Sequence, residues 1–214
     1  MNDIMKVLKT TAKNLEKNNI KTYIVDNIDE VTDLIKKLIK KGDTVSNGGS
    51  ESLKECGVID LLRSGDYSFI ERAQSDPKEA CIKAFSADVY FCSSNAVTEN
   101  GELYNVDGNS NRIAAIAYGP DSVIMVVGYN KIVKNIDEAI NRVKTICAPK
   151  NCERLEVNSY CNSKGQCMSC QNENPNICDG CNSDTRICCN YLISARQRHK
   201  DRIKVILVPE VLGY

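Results

Sequence analysis

Apolar residues recur at Ile4, Val7, Leu8, Ala12 and Leu15, which is a helical spacing over residues 3–19. The pattern tightens at Lys21-Thr22-Tyr23-Ile24-Val25, a strand. It loosens again at Ile28, Val31, Leu34, Ile35, Leu38 and Ile39, one face of a helix that Gly42 ends. Thr44-Val45-Ser46 reads as a short strand leading into Asn47-Gly48-Gly49-Ser50, and Glu51 to Cys56 as the first turns of another helix. Residues 58–75 are mixed, with Ile59, Leu61 and Leu62 in helical spacing and Tyr67-Ser68-Phe69-Ile70 strand-like. Pro77 opens the next helix, with Ala80, Ile82, Ala84 and Phe85 as its apolar positions. Asp88 to Cys92 and Ser122 to Gly128 read as buried strands, Ile136 to Cys147 as an amphipathic helix, and Arg202 to Pro209 as a last strand. Strands that alternate with helices predict an α/β fold with a largely parallel sheet.

Between the two buried strands the chain turns polar. Ser93, Ser94, Asn95, Thr98, Glu99, Asn105, Asp107, Asn109, Asn111 and Arg112 lie close together. Asn100-Gly101 and Asp107-Gly108 are turn signals, because Asn, Asp and Gly tolerate positive φ. The alternation in Glu102-Leu103-Tyr104-Asn105-Val106 predicts a short strand, and the apolar run from Ile113 to Tyr118 is expected to resume a strand. Parallel α/β sheets gather their sites at carboxyl strand ends. The turn 47–50, this polar stretch and Tyr129-Asn130-Lys131 are therefore expected to face one cleft. The Gly-Gly-Ser junction offers backbone N–H groups to an anion; a capped turn is the plainer alternative.

Composition narrows the function. Lys plus Arg and Asp plus Glu are both 28 in 214 residues, so no general positive field favours nucleic acid. No run of eighteen apolar residues is present, which argues against a membrane span. The charged N-terminal segment does not resemble a secretory signal, so a cytoplasmic location is expected. A lone His199 in a charged stretch leaves no Ser-His-Asp or Cys-His arrangement to argue for.

The twelve cysteines change the picture most. Cys56, Cys81, Cys92, Cys147 and Cys152 stand among apolar residues and are expected to be small buried hydrophobes. The other seven fall between Cys161 and Cys189, among Asn, Ser, Gly and Asp that can form no apolar core. Cytosolic thiols stay reduced, so metal is the expected source of order there. Two Cys-x-x-Cys pairs, Cys167/Cys170 and Cys178/Cys181, suit a tetrahedral Zn site. Four thiolates from Cys161, Cys167, Cys170 and Cys188 suit a 4Fe–4S cluster equally well.

The stretch SSNAVTENGELYNVDGNSNRIAAIAYGP, followed by VVGYNKIV, resembles the LUD-domain family of lactate-utilisation proteins. The resemblance reaches upstream to TVSNGGSESLKECG and downstream to RICCN and VILVPEVLGY, so it covers the chain from about Val31 to Tyr214. It implies the three-layer α/β fold shared by ribose-5-phosphate isomerases, glucosamine-phosphate deaminases and CoA transferases. It also implies a LUD-type domain over 1–152, a Cys-rich extension over 153–200 and a final strand over 201–214 that returns to the domain. Through the resemblance Cys161, Cys167, Cys170 and Cys188 become the primary ligand set, Cys178/Cys181 an insertion, and 4Fe–4S the favoured cofactor with Zn as its alternative.

The expected function is a cytosolic enzyme, or subunit of an enzyme complex, acting on a small anionic metabolite, with partner subunits or a homodimer. Glu99, Arg112 and Lys131 are the candidate catalytic residues, Glu99 for proton transfer or attack and Arg112 to hold a carboxylate bidentately. Asn47, Gly48, Gly49, Ser50, Ser94, Asn95, Asn105, Asp107, Asn111 and Asn130 are the candidate ligand-binding residues. The alternative is an anion-binding regulatory domain with a structural Zn-thiolate site.

Overall fold

In the strand Ser122–Gly128 (β7), Val123, Met125 and Val127 face one apolar cluster while Ile124 and Val126 face another. The two-residue period with both faces buried marks a strand at the centre of a covered parallel sheet. The computed structural model describes residues 2–71 and 76–214. Residues 72–75, the end of the mixed stretch, and Met1 lie outside the described residues. Around β7 stand Lys21–Ile24 (β1), Thr44–Asn47 (β2), Ser68–Ile70 (β3), Val89–Cys92 (β4) and Ile203–Val208 (β10). Their order is β1-β10-β7-β4-β2-β3, and every pairing is parallel. The last strand lies beside the centre, between β1 and β7.

On one face, the helix Asn2–Lys17 (α1) contributes Leu8 and Leu15, both fully buried against Val123, Met125, Val205 and Leu207. On the other, Glu30–Leu38 (α2), Glu51–Glu55 (α3) and Val58–Leu62 (α4) bring Val31, Ile35, Leu53 and Val58 onto Phe91, Ile124 and Ile206. Each such side chain contributes about 1.5–3 kcal/mol by burial. The expected three-layer α/β architecture is what the chain adopts.

A second sheet, not expected as a unit, stands on the α1 side. Ala96–Thr98 (β5), Leu103–Asp107 (β6), Ile132–Val133 (β8) and Asn190–Ser194 (β9) run in the order β8-β5-β6-β9. Val97 and Leu103 face the main core, while Ala96, Tyr104 and Val106 face the helices Ile136–Arg142 (α7) and Ala148–Arg154 (α8). β9 pairs antiparallel with β6, so the Cys-rich stretch is stitched to the polar motif by a sheet. Between α7 and α8 a π-helical turn spans Val143–Cys147. Pro149 has no N–H for the carbonyl four residues back, and the wider turn absorbs that missing bond.

Two local expectations need correction. The run expected to resume a strand is a helix, Asn111–Ala117 (α6). Its apolar residues Ile113 and Ile116 lie three apart, and the Asp107 carboxylate accepts from the Ile113 N–H at 2.9 Å, so the helix start is satisfied. The turn expected at Asp107-Gly108 is displaced: β6 runs through Asp107 and the positive φ falls at Ser110.

The other signal, Asn100-Gly101, is a turn as expected. Gly101 has φ +88, and its N–H donates to the Thr98 carbonyl at 2.9 Å. A Cβ there would stand 2.5 Å from the Asn14 carbonyl carbon of α1. Gly101→Ala should therefore cost more than about 1 kcal/mol, lowering Tm by roughly 3 °C or more. A thermal melt checks this; an unchanged Tm would mean that the turn and α1 separate freely.

Candidate functional site

Arg112, in the first turn of α6, is the hub of the polar motif. Its Nε donates to Asp107 Oδ1 at 3.0 Å, Nη1 to Asn105 Oδ1 at 2.6 Å and the Ser93 carbonyl at 3.3 Å, and Nη2 to Asn95 Oδ1 at 2.7 Å and the Val106 carbonyl at 2.9 Å. A guanidinium has five N–H donors, and these contacts use them all. Gly48 makes room: a Cβ there would lie 3.0 Å from Arg112 Cδ and 2.8 Å from the Tyr90 hydroxyl. Arg112 thus locks the loop after β4 to β6.

Above this network opens a cleft of about 480 Å³ at the carboxyl ends of β2, β4 and β7. Gly49, Ser50 and Glu51 line one side, and Ser93, Ser94 and Asn95 the floor. Asp107, Asn111 and Arg112 line another side, and Arg154, Arg186 and Tyr214 complete the wall. Lys131 lies at the base, only 3% exposed. Its Nζ donates to Ser52 Oγ at 2.7 Å and Ser93 Oγ at 3.0 Å, and no carboxylate pairs with it among the described residues. Burial, and then the nearby Arg142 guanidinium, pull its ammonium pKa down to about 8.

Gly49, Ser50, Ser94, Asn95, Asp107, Asn111, Arg112 and Lys131 are thus brought to one cleft. Asn47, Gly48, Asn105 and Asn130 are not among its lining residues. Asn105 is buried behind Arg112 with its Nδ2 unpartnered among the described residues. Asn130 ties down the last residues, donating to the Gly213 carbonyl and accepting from the Leu212 N–H. Glu99 stands apart as well: its N–H donates to Val133 and its carbonyl accepts from Asn14, at the α1 end of the small sheet. The pairing expected between Glu99 and Arg112 is therefore not found; Asp107 is the carboxylate on Arg112, at 2.7 Å. Sequence reasoning did not single out Ser52, Arg154, Arg186 and Tyr214, although Ser52, Arg186 and Tyr214 lie in the quoted segments TVSNGGSESLKECG, RICCN and VILVPEVLGY; spacing does not show that the fold brings them together.

Ten of the twelve cysteines are buried or half-buried; Cys178 and Cys189 are the exposed ones, and all are unpaired thiols. Cys161, Cys167, Cys181 and Cys188 line one small cavity of about 20 Å³ with Lys144, Tyr104 and Tyr191. Cys181, not Cys170, completes that set of four. Lys144 Nζ donates to Ser169 Oγ, the Asn176 carbonyl and the Asp179 carbonyl at 2.8, 2.7 and 3.1 Å. Arg186 donates to the carbonyls of Cys178, Cys181 and Cys188. Two cations bonded to main-chain oxygens therefore give this polar segment order. The thiols are suitable donors for Zn or iron. As they stand, no group of three or more Cys, His, Asp or Glu side chains among the described residues is placed to hold an ion.

A family profile for the LUD domain matches residues 8–208. The chain is similar in structure to a DUF162 family protein from Deinococcus radiodurans, at 13% identity and a TM-score of 0.51, over 96% of this chain and 98% of that one. Weaker likenesses are to eIF2B beta from Chaetomium thermophilum (17% identity, TM-score 0.38, 52% of this chain and 41% of that one) and eIF2B delta from the same organism (16%, 0.34, 53% and 50%). No curated protein matches the chain.

Arg112→Met would leave Asp107, Asn95 and Asn105 without their donor in a nearly buried site. The expected cost is about 3–5 kcal/mol in urea unfolding. A cost below about 1 kcal/mol would show that the network is not what holds the motif.

Proposed function

The chain belongs to the LUD-domain family, which is associated with lactate utilisation, and we propose that its cleft binds a small anionic metabolite, a carboxylate in the lactate-utilisation style, as an enzyme or a subunit of an enzyme complex. The observation that carries this reading is Lys131: a cation at the base of the cleft, bonded only to neutral hydroxyls. A buried ammonium without a counter-ion is costly, and an anion entering the cleft relieves that cost. Gly49 and Ser50 line the same space, and no backbone hydrogen bond takes up their N–H groups among the described residues. Arg112 works indirectly, since its donors are committed; it fixes the floor on which Ser93, Ser94 and Asn95 stand. No helix among the described residues is long and apolar enough to cross a membrane.

For the cysteine segment, metal binding is proposed through Cys161, Cys167, Cys181 and Cys188. A cavity of about 20 Å³ has room for one water-sized atom. That size favours a single thiolate-bound ion; a 4Fe–4S cluster would require the segment to open further. The metal's role in this reading is to bind these thiols and hold the segment, and no step at the cleft passes through it.

Calorimetric titration of the protein with L-lactate and oxalate tests the cleft. Binding should be measurable for at least one, and Lys131→Met should weaken it tenfold or more, about 1.4 kcal/mol. Equal affinity in the variant would remove Lys131 from the anion site. For the thiols, metal analysis of anaerobically purified protein should find Zn or iron. Cys181→Ser should lose it and Cys170→Ser retain it; the reverse would restore Cys170 as a ligand.

A further inference from the structure

Lys131 has a second capability besides charge. We propose that its Nζ is a nucleophilic amine that forms an imine with the carbonyl of a small carboxylate-bearing substrate, an α-oxo acid. This deepens the reading of the cleft as an anion site and rests on it.

The geometry supplies four supports. The amine lies at the base of a cleft large enough for a small metabolite, and is enclosed by protein elsewhere. Its two hydrogen bonds go to serine hydroxyls, leaving one of three nitrogen positions uncommitted. No carboxylate among the described residues pairs with it. The charged and titratable groups around it are Arg142 from α7, Arg112 from α6, Glu55 from α3 and the Cys147 thiol from the π-turn. The first two oppose its protonation, and burial opposes it more. With a pKa of about 8, roughly 10% of this amine is neutral at pH 7, against roughly 0.03% of a solvated lysine. A desolvated lysine near other cations is a recognised means of activating an amine.

The step balances without any redox partner. The nitrogen lone pair attacks the carbonyl carbon, a C–N bond forms and the carbonyl π electrons move to oxygen; one nitrogen proton then passes to that oxygen, giving a carbinolamine. The second nitrogen proton is then delivered to the hydroxyl, the C–O bond breaks, and one water leaves as the nitrogen lone pair forms the C=N bond. Ser93 Oγ accepts from Lys131 and its own hydrogen is not committed elsewhere among the described residues, so it is placed to pass a proton to the departing oxygen. Ser52 does not share this role, because its hydroxyl donates to the Leu212 carbonyl.

The test is reductive trapping on the wild-type protein, with glyoxylate as probe and cyanoborohydride as hydride donor, followed by peptide mapping. Lys131 should be modified at least tenfold faster than any exposed lysine, with a rate that rises with pH and levels off above about 8. Propanal, which lacks the carboxylate, should label it more slowly. Lys131→Met, once shown folded by its circular dichroism and melt, should lose the preferential label. Label confined to exposed lysines, or unchanged in the variant, would overturn the proposal. Lactate or oxalate binding without Lys131 label would defeat the imine alone, whereas absence of both would defeat the anion site too.

Discussion

The described residues form two sheets, and the Arg112 guanidinium is where their polar ends are joined. One cation satisfies the carbonyl of Ser93 after β4, the amide oxygens of Asn95 and Asn105, and the carboxylate and carbonyl at the end of β6. Each of these groups would be costly to bury alone, and one planar, always-charged donor fork meets all of them. The loop Ser93–Asn95 is thereby held at a fixed height, and Ser93 in turn receives Lys131. Positioning of the candidate site therefore runs from α6 through Arg112 to the floor of the cleft. Gly48 is part of the same constraint, because any side chain there would displace Arg112 or Tyr90.

The layered α/β fold was legible because hydrophobic period reports burial directly. β7 and β10 read as strands with two covered faces, and α1 and α2 as helices with one. What period does not report is the change of partner at short elements. Residues 113–118 form an apolar run of a length that either state accommodates, and the decision came from the Asp107 carboxylate capping the helix start, a contact between residues six apart. The polar motif was visible as a site by density alone. The roles within it were not, since they depend on which donors are already used. Arg112 was expected to hold a ligand and has its donors committed within the protein; Glu99 was expected beside Arg112 and lies near α1; Lys131 was expected at the cleft and lies at its base, buried.

The cysteine segment shows a different limit. Spacing identified the thiols but not their neighbours. Cys178/Cys181 and Cys167/Cys170 are equivalent in sequence, yet one member of each pair, Cys181 and Cys167, turns to the cavity beside Cys161 and Cys188. Lys144 determines much of this, because its ammonium collects Ser169, Asn176 and Asp179 around a single point. Lys144 itself lies in the π-turn Val143–Cys147 ahead of Pro149, and through it that turn is tied to the Asn176 carbonyl.

All of the functional reading depends on one electrostatic condition, a desolvated and unpaired ammonium at the base of the cleft. The direct measurement is the titration of the Lys131 side chain by NMR on protein carrying 13C-labelled lysine, with Lys131→Met for assignment. An apparent pKa near 8 in the free protein, rising when a small carboxylate binds, is the result this account predicts. A value near the ordinary 10.4 of a solvated lysine, unmoved by carboxylate, would contradict it.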